Sequence, residues 1–303
     1  MAEPGYECGV ESAECGIQIE PPYPPTSVCG LANGDCCSGA EAPQLHRRQP
    51  SLSEAARARL LSVRGEPLFI ADWDRVLMIH YEVDPVRLQR VVPFALDLHE
   101  DRAFVSLVAF TLRGMRPRWG GRLAAWLMQP IATHDFLNVR TYVRHGSETG
   151  IYFMAEWLAN RLSVALGPTF FGLPYRHGRI KYSHRSFTTT LSGRVEDTAG
   201  NGVLAYRGTL HSNAGFRECE HGSMTEWLME RYTAFTHTKG KARFFRVWHS
   251  PWPQAPAEVA VTDQSLLERN WPLFREASLA GANFSPGVKD VWMGRPHRLH
   301  PNL

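Results

Sequence analysis

The sequence predicts an α+β fold that is mainly β, an antiparallel β-barrel or nearly closed sheet with short helices at its flanks. Three observations carry that expectation. Runs rich in β-branched and aromatic residues recur at 69–81, 103–112, 137–144, 151–157, 179–191, 203–211, 243–248 and 258–262. Turn-forming stretches such as Arg144-His145-Gly146 and Ala199-Gly200-Asn201-Gly202 separate several of them, as antiparallel neighbours require. Helical patterns are few and short. A chain of 303 residues, 44% apolar, can bury a large core, and barrels of this size are commonly undivided.

Taken in order, residues 1–50 are rich in Pro, Gly, Ser, Glu and Cys, show neither helical nor strand periodicity, and read as a disordered extension. Residues 51–67 read as a peripheral helix and linker. Ser51-Leu52-Ser53-Glu54 has a capping serine and, three positions on, a glutamate that can answer it. Residues 68–293 hold the β-rich domain, and 294–303 form a tail. Inside the domain, Asp84-Pro85 opens a short helix ending near Val92, with 123–128 and 225–232 as further short helices. The longest helical stretch, 158–171, contains Gly167-Pro168, which should kink or split it because proline removes a backbone donor.

Composition excludes several classes. The formal charge of +3 is small for this length, and no basic stripe interleaved with aromatics is present, so no nucleic-acid partner is expected. No apolar run of about 18 residues exists, so no membrane partner is expected. Five of six cysteines fall within the first 37 residues without a C-x-x-C pair, which argues against a thiolate zinc site. No metal and no cofactor are expected, and a reducing, cytoplasmic setting is the default for such cysteines. Nucleophile-elbow, zinc-helix, Walker and dinucleotide glycine motifs are absent. Only four lysines occur, Lys181, Lys239, Lys241 and Lys289, so any amine chemistry has four candidates.

Three places could carry chemistry. On strand 136–144, alternation puts Leu137, Val139, Thr141 and Val143 on one face and Asn138, Arg140 and Tyr142 on the other. The second face is either solvated or the floor of a barrel lumen, where Arg140 could fork onto a carboxylate. Strands 103–112 and 151–157 are apolar on both faces and should run through the covered middle of the sheet, leaving Glu156 partly buried. It would serve either as an acid or base with a raised pKa or as a structural partner of Arg161. After the Gly172-Leu173-Pro174 corner, Tyr175, His177, Arg179 and Lys181 share one side and Arg176, Ile180 and Tyr182 the other. His177 and Tyr175 are the catalytic candidates there, with Glu156, and Asn138, Arg140, Arg161 and Arg176 are the ligand-binding candidates.

Several short motifs follow one another along the chain: Asn138-Val139-Arg140-Thr141-Tyr142-Val143, Ala159-Asn160-Arg161, Leu173-Pro174-Tyr175-Arg176-His177, Glu230-Arg231-Tyr232, His249-Ser250-Pro251-Trp252-Pro253 and Phe284-Ser285-Pro286-Gly287-Val288. Their order resembles a bacterial family of uncharacterised YqjF-like proteins, the domain of unknown function 2071. That family resembles the acetoacetate decarboxylase-like fold, which implies a barrel or cone flanked by helices around a ligand cavity. In the decarboxylases a Gly-Phe-Pro corner precedes two lysines, one of which forms a Schiff base. Here Tyr175-Arg176 follows the corner, so the resemblance implies the fold and a cavity while arguing against that reaction. The expectation is a protein that binds a small anionic or carbonyl-bearing molecule. One alternative is a lysine-independent acid/base enzyme. The other is an interaction module presenting Trp248, Trp252 and Trp271, and a homo-oligomer seamed at Phe170-Phe171 is also conceivable.

Overall fold

A computed structural model describes residues 50–184, 190–210 and 215–299, so the readings made for residues 1–49 lie outside the described residues. Helix α1 (Leu52–Leu61) starts at Ser51, whose side chain accepts from the Glu54 backbone while Glu54 answers the Ser51 backbone. Asp84 caps α2 (Pro85–Gln89). The remaining helices are α3 (Gly121–Met128), α4 (Arg161–Phe170), α5 (Met224–Met229) and α6 (Ser265–Asn270). The strands are β1 (Phe69–Val83), β2 (Ala95–Leu96), β3 (Ala103–Pro117), β4 (His134–His145), β5 (Glu148–Leu158), β6 (Tyr175–His184), β7 (Thr190–Asp197), β8 (Val203–Leu210), β9 (Thr233–Thr238), β10 (Lys241–Trp248), β11 (Ala255–Asp263), β12 (Ser278–Met293) and β13 (His297–Arg298).

These strands join in one sheet whose pairings close two circuits. Both share the wall β12-β1-β3-β4-β5. One circuit returns through β6, β7, β8 and β11, the other through β9 and β10. The fork is visible in the register of β5, whose C-terminal end pairs with β6 while its N-terminal end pairs with β9. On β12, Phe284 and Asn283 meet β11, and Met293 and Trp292 meet β10. The shared wall is therefore covered on both faces, which is why β3 is buried through Leu112. One face packs Leu77, Ile79, Leu107, Leu137, Val139 and Trp157 into a core with β7 and β8. The other turns Val76, Met78, Val108, Phe110, Phe136 and Phe153 toward β9 and β10.

Three features depart from expectation. Most pairings are antiparallel, but β5 pairs in parallel with both β6 and β9; α4 supplies the crossover that a parallel β5–β6 neighbour needs. Helix α4 runs unbroken through Pro168. Gly167 ahead of it has no Cβ for the proline ring to strike, and the donor lost at residue 168 lies in the last turn. The 16-residue β12 has no counterpart in the strand pattern of the sequence because Gly281, Pro286 and Gly287 interrupt it. Gly287 has φ +121°, and a Cβ there would stand 2.2 Å from the Trp73 carbonyl, so the close approach of β1 requires glycine.

Candidate functional site

The face of the wall toward β9 and β10 does not pack solid. It encloses a cavity of about 390 Å³, within the range of small-ligand pockets. Its lining is dominated by aromatic and aliphatic side chains from β1, β3, β4, β5 and β10, with α4 and Phe171 on one side. Into this apolar space project His134, Asn138, Arg140, Glu156, Ser163, Tyr175, Arg231 and Thr233.

Asn138 and Arg140 arrive by simple alternation along β4. Glu156 arrives by a bulge: Val139 pairs with Ala155 and Arg140 with Phe153, so Met154 is extra. That inserted residue resets the parity of β5 and puts both Phe153 and Glu156 on the cavity face. Glu156 then lies directly across from Asn138. Tyr175 is placed by the Gly172-Leu173-Pro174 corner, pairing with Glu156 in parallel register. Its ring meets Phe136 edge-on at 6.0 Å and lies against the backbone of Gly167, where a Cβ would stand 2.0 Å from the ring.

The electrostatics of this cluster are unbalanced. Arg140 is 6% exposed, and its Nη2 donates to the Leu228 carbonyl at 3.3 Å and approaches Met78 Sδ at 3.6 Å. Its Nε has no partner, and among the described residues no carboxylate forms an ion pair with it. Burial, and then the neighbouring Arg231, lower the guanidinium pKa from its ordinary value of 12.5. Arg231 is itself satisfied in part, donating to Asp97 Oδ2 at 2.8 Å and stacking over Trp227 at 4.3 Å, while its Nη2 is unpartnered. Glu156 is 3% exposed, and burial drives its carboxyl well above the usual range. Burial and then Glu156 push the Tyr175 phenol well above 10. Burial thus favours the protonated, neutral form of both groups, which can donate a proton. Glu156 Oε2, Asn138 Oδ1, Ser163 Oγ and both ring nitrogens of His134 also lack partners. Unsatisfied polar atoms at this density are rare in packed cores and collect where a ligand or water completes them.

The structure thus brings together Asn138, Arg140, Glu156 and Tyr175 and keeps the other candidates out. His177 sits at the edge of β6, with Nδ1 3.0 Å from Thr198 Oγ1 and Nε2 3.2 Å from the Ala159 carbonyl, and does not line the cavity. Arg176 points to the opposite face, stacked on Trp157 at 5.1 Å and Trp271 at 5.9 Å and hydrogen-bonded to Asn270. Arg161 is exposed at the start of α4 and makes no ion pair with Glu156. Trp252 and Trp271 are buried and Trp248 half-buried, so they do not form the exposed surface that an interaction module would need. All four lysines are exposed, and none lines the cavity. Among the described residues no three His, Cys, Asp or Glu side chains converge as a metal site requires. Arg231, His134 and Ser163 were not singled out by sequence; the one signal for Arg231 was its place in the Glu230-Arg231-Tyr232 motif.

The architecture is that of the acetoacetate decarboxylase-like fold. An acetoacetate decarboxylase-like enzyme from Sphingomonas wittichii RW1 superposes with a TM-score of 0.53 at 15% identity, covering 78% of this chain and 94% of the other. The enduracididine biosynthesis enzyme MppR, complexed with pyruvate, superposes with a TM-score of 0.52 at 12% identity, covering 79% and 93%. Residues 70–289 match the family DUF2071, described as an uncharacterised conserved protein, and the chain belongs to that family. It is 32% identical over 194 residues to the uncharacterised protein YqjF of Bacillus subtilis, covering 62% of this chain and 76% of that protein.

Proposed function

We propose that this protein binds a small, partly apolar carboxylate, such as an oxo acid, in the cavity, and does so without Schiff-base chemistry. The observation that carries the reading is Arg140, a buried guanidinium with no carboxylate ion-pair partner among the described residues, in a cavity lined mainly by apolar side chains. An uncompensated buried charge is costly, and an anion entering the cavity supplies the missing partner. Asn138 and Tyr175, together with Glu156 when it is protonated, line the same space and can donate to a carbonyl oxygen of the same ligand. Tyr175 follows the corner where the decarboxylases carry a lysine, and a phenol forms no imine. That MppR is described in complex with pyruvate makes oxo acids the natural first class to screen. In a thermal-shift screen of oxo acids, the wild type should be stabilised by at least one of them and Arg140→Met by none. Equal shifts in the two proteins would discard the placement.

A second reading, an acid/base enzyme acting on a carbonyl substrate, is favoured by one observation: Glu156, whose carboxyl pKa is raised by burial, lies beside Tyr175 inside the cavity. In that case Glu156→Gln abolishes turnover of a carbonyl compound while leaving its binding within about threefold. Turnover unaffected by Glu156→Gln and Tyr175→Phe would leave binding alone.

A further inference from the structure

The rim of the cavity carries an apolar surface that the fold leaves uncovered. Helix α3 buries none of its side chains. Leu123, Trp126 and Leu127 share one side of it by helical spacing, Trp119 stands two residues ahead of it, and all four are 64 to 68% exposed. The stripe continues to the cavity mouth: Met128 at the end of α3 lines the cavity, as do Ile131 and Leu166 of α4. Asn160, which caps α4, donates to the Pro130 carbonyl at 2.6 Å and ties α4 to the turn that follows α3. Scattered exposed apolar residues are ordinary, but a patch that includes two tryptophans marks an interaction surface.

Charge indicates what covers it. From residue 102 to residue 134 the chain has no acidic residue. Arg113 and Arg116 are paired with Asp74 and Asp290. Arg118, Arg122 and Arg161 are exposed, and none of them forms an ion pair among the described residues. Arg118 stacks on Trp119 at 5.1 Å. Tryptophan and leucine on one stripe, bordered by unpaired arginines, suit the boundary of an anionic bilayer: the apolar stripe enters the acyl margin and the guanidinium groups meet headgroup phosphates. A two-fold dimer through the same patch would bring the arginines of one copy against those of the other.

We propose that α3 and the adjoining start of α4 dock this protein on an anionic lipid surface with the cavity mouth toward the bilayer. Among the described residues no helix is long and apolar enough to cross a membrane, and the attachment proposed is a peripheral one. The expectation of no membrane partner rested on the lack of a spanning segment and does not cover this mode. An apolar cavity ending in a buried arginine then opens where amphiphilic carboxylates partition. The docking itself does not depend on the ligand reading and is tested without any ligand.

The test is co-sedimentation with vesicles of phosphatidylcholine alone and of phosphatidylcholine and phosphatidylglycerol in a roughly 2:1 ratio. Wild type should bind the anionic vesicles, and binding should fall several-fold between about 0.1 and 0.5 M salt. Leu123→Ser combined with Trp126→Ser should weaken it at least about tenfold, and Arg122→Glu combined with Arg161→Glu by a similar factor. These positions are exposed, so unchanged urea midpoints will confirm that the variants fold. The proposal is overturned if wild type ignores the anionic vesicles or if the serine variant binds them equally well. It is also overturned if wild type is a dimer that the serine variant dissociates while vesicles are ignored, because the stripe is then an interface between copies.

Discussion

Replacing Arg140 by methionine should make the unliganded protein more stable. The guanidinium donates one long hydrogen bond, 3.3 Å to the Leu228 carbonyl, and touches Met78 Sδ at 3.6 Å. The Leu228 carbonyl also accepts from the Tyr142 hydroxyl at 2.9 Å, so removing Arg140 orphans no acceptor. The loss is about 0.5–1 kcal/mol. Against it stands the removal of a buried charge without a carboxylate partner, and exchanging buried ionic groups for apolar ones of similar volume is often stabilising by about 1–4 kcal/mol. The net expectation is a gain of about 1–3 kcal/mol, or about 2–10 °C in Tm for a domain of this size. Urea unfolding reads it directly, as a higher midpoint with an unchanged slope. The same variant should lose the ligand-induced stabilisation of the wild type, about 2.7 kcal/mol when ligand is about 100-fold above Kd. A loss of more than about 1 kcal/mol in the unliganded variant would refute the reasoning, because Arg140 would then be a structural anchor.

Other substitutions and pH report on the rest of the account. Burial raises the folded-state pKa of Glu156 above its ordinary value of 4.5, so its contribution is complete below that value and is lost as pH rises toward the folded pKa. Glu156→Gln should therefore gain on wild type by about 1.4 kcal/mol per pH unit over the window above pH 4.5, and parallel stability curves would contradict it. His80 is lowered to about 3 and His134, His184 and His249 to about 4, all by burial first. Their stabilisation is present above pH 6.5 and is lost as pH falls, opposed by Glu156 and Glu230, whose pKa values are raised. The four histidines outnumber the two acids, so once the histidines of the unfolded chain are mostly protonated, about a unit below 6.5, the stability measured in urea should fall with falling pH, whereas a flat profile between about pH 5.5 and 4.5 would count against the buried network. Gly167→Ala should push the Tyr175 ring into the cavity and destabilise by about 1–2 kcal/mol despite the better helix propensity of alanine. A stabilised variant would mean that the ring yields freely.

Much of this was legible in the sequence where a local rule governs the residue. The capping box at Ser51 and Glu54 and the Asp84-Pro85 start follow from helix-end chemistry alone. The two-sided apolar character of 103–112 marks the shared wall, and alternation along β4 places Asn138 and Arg140 on the cavity face. Glu156 is legible as a buried acid but not as Asn138's neighbour, since that depends on the bulge at Met154, which resets parity without changing composition. β12 escapes because Gly287 and Pro286, which read as breakers, are what the close passage of β1 requires. His177 was misleading for a related reason. It still pairs with Leu158 at the end of β5, but its ring is taken up by Thr198 Oγ1 and the Ala159 carbonyl and does not line the cavity. Arg231 stands after a short helix, and nothing local announces that its guanidinium closes the cavity beside Arg140.

If Arg140 holds a carboxylate in the cavity without covalent chemistry, the charge of the ligand must decide its affinity. Calorimetric titration with phenylpyruvate and with its methyl ester, on wild type and Arg140→Met, tests it most directly. The account predicts that wild type binds the acid at least about tenfold more tightly than the ester, as a charge-assisted hydrogen bond of about 1.5–3 kcal/mol requires, and that the variant loses this preference. Ester and acid binding alike, or a preference that survives in Arg140→Met, would contradict it.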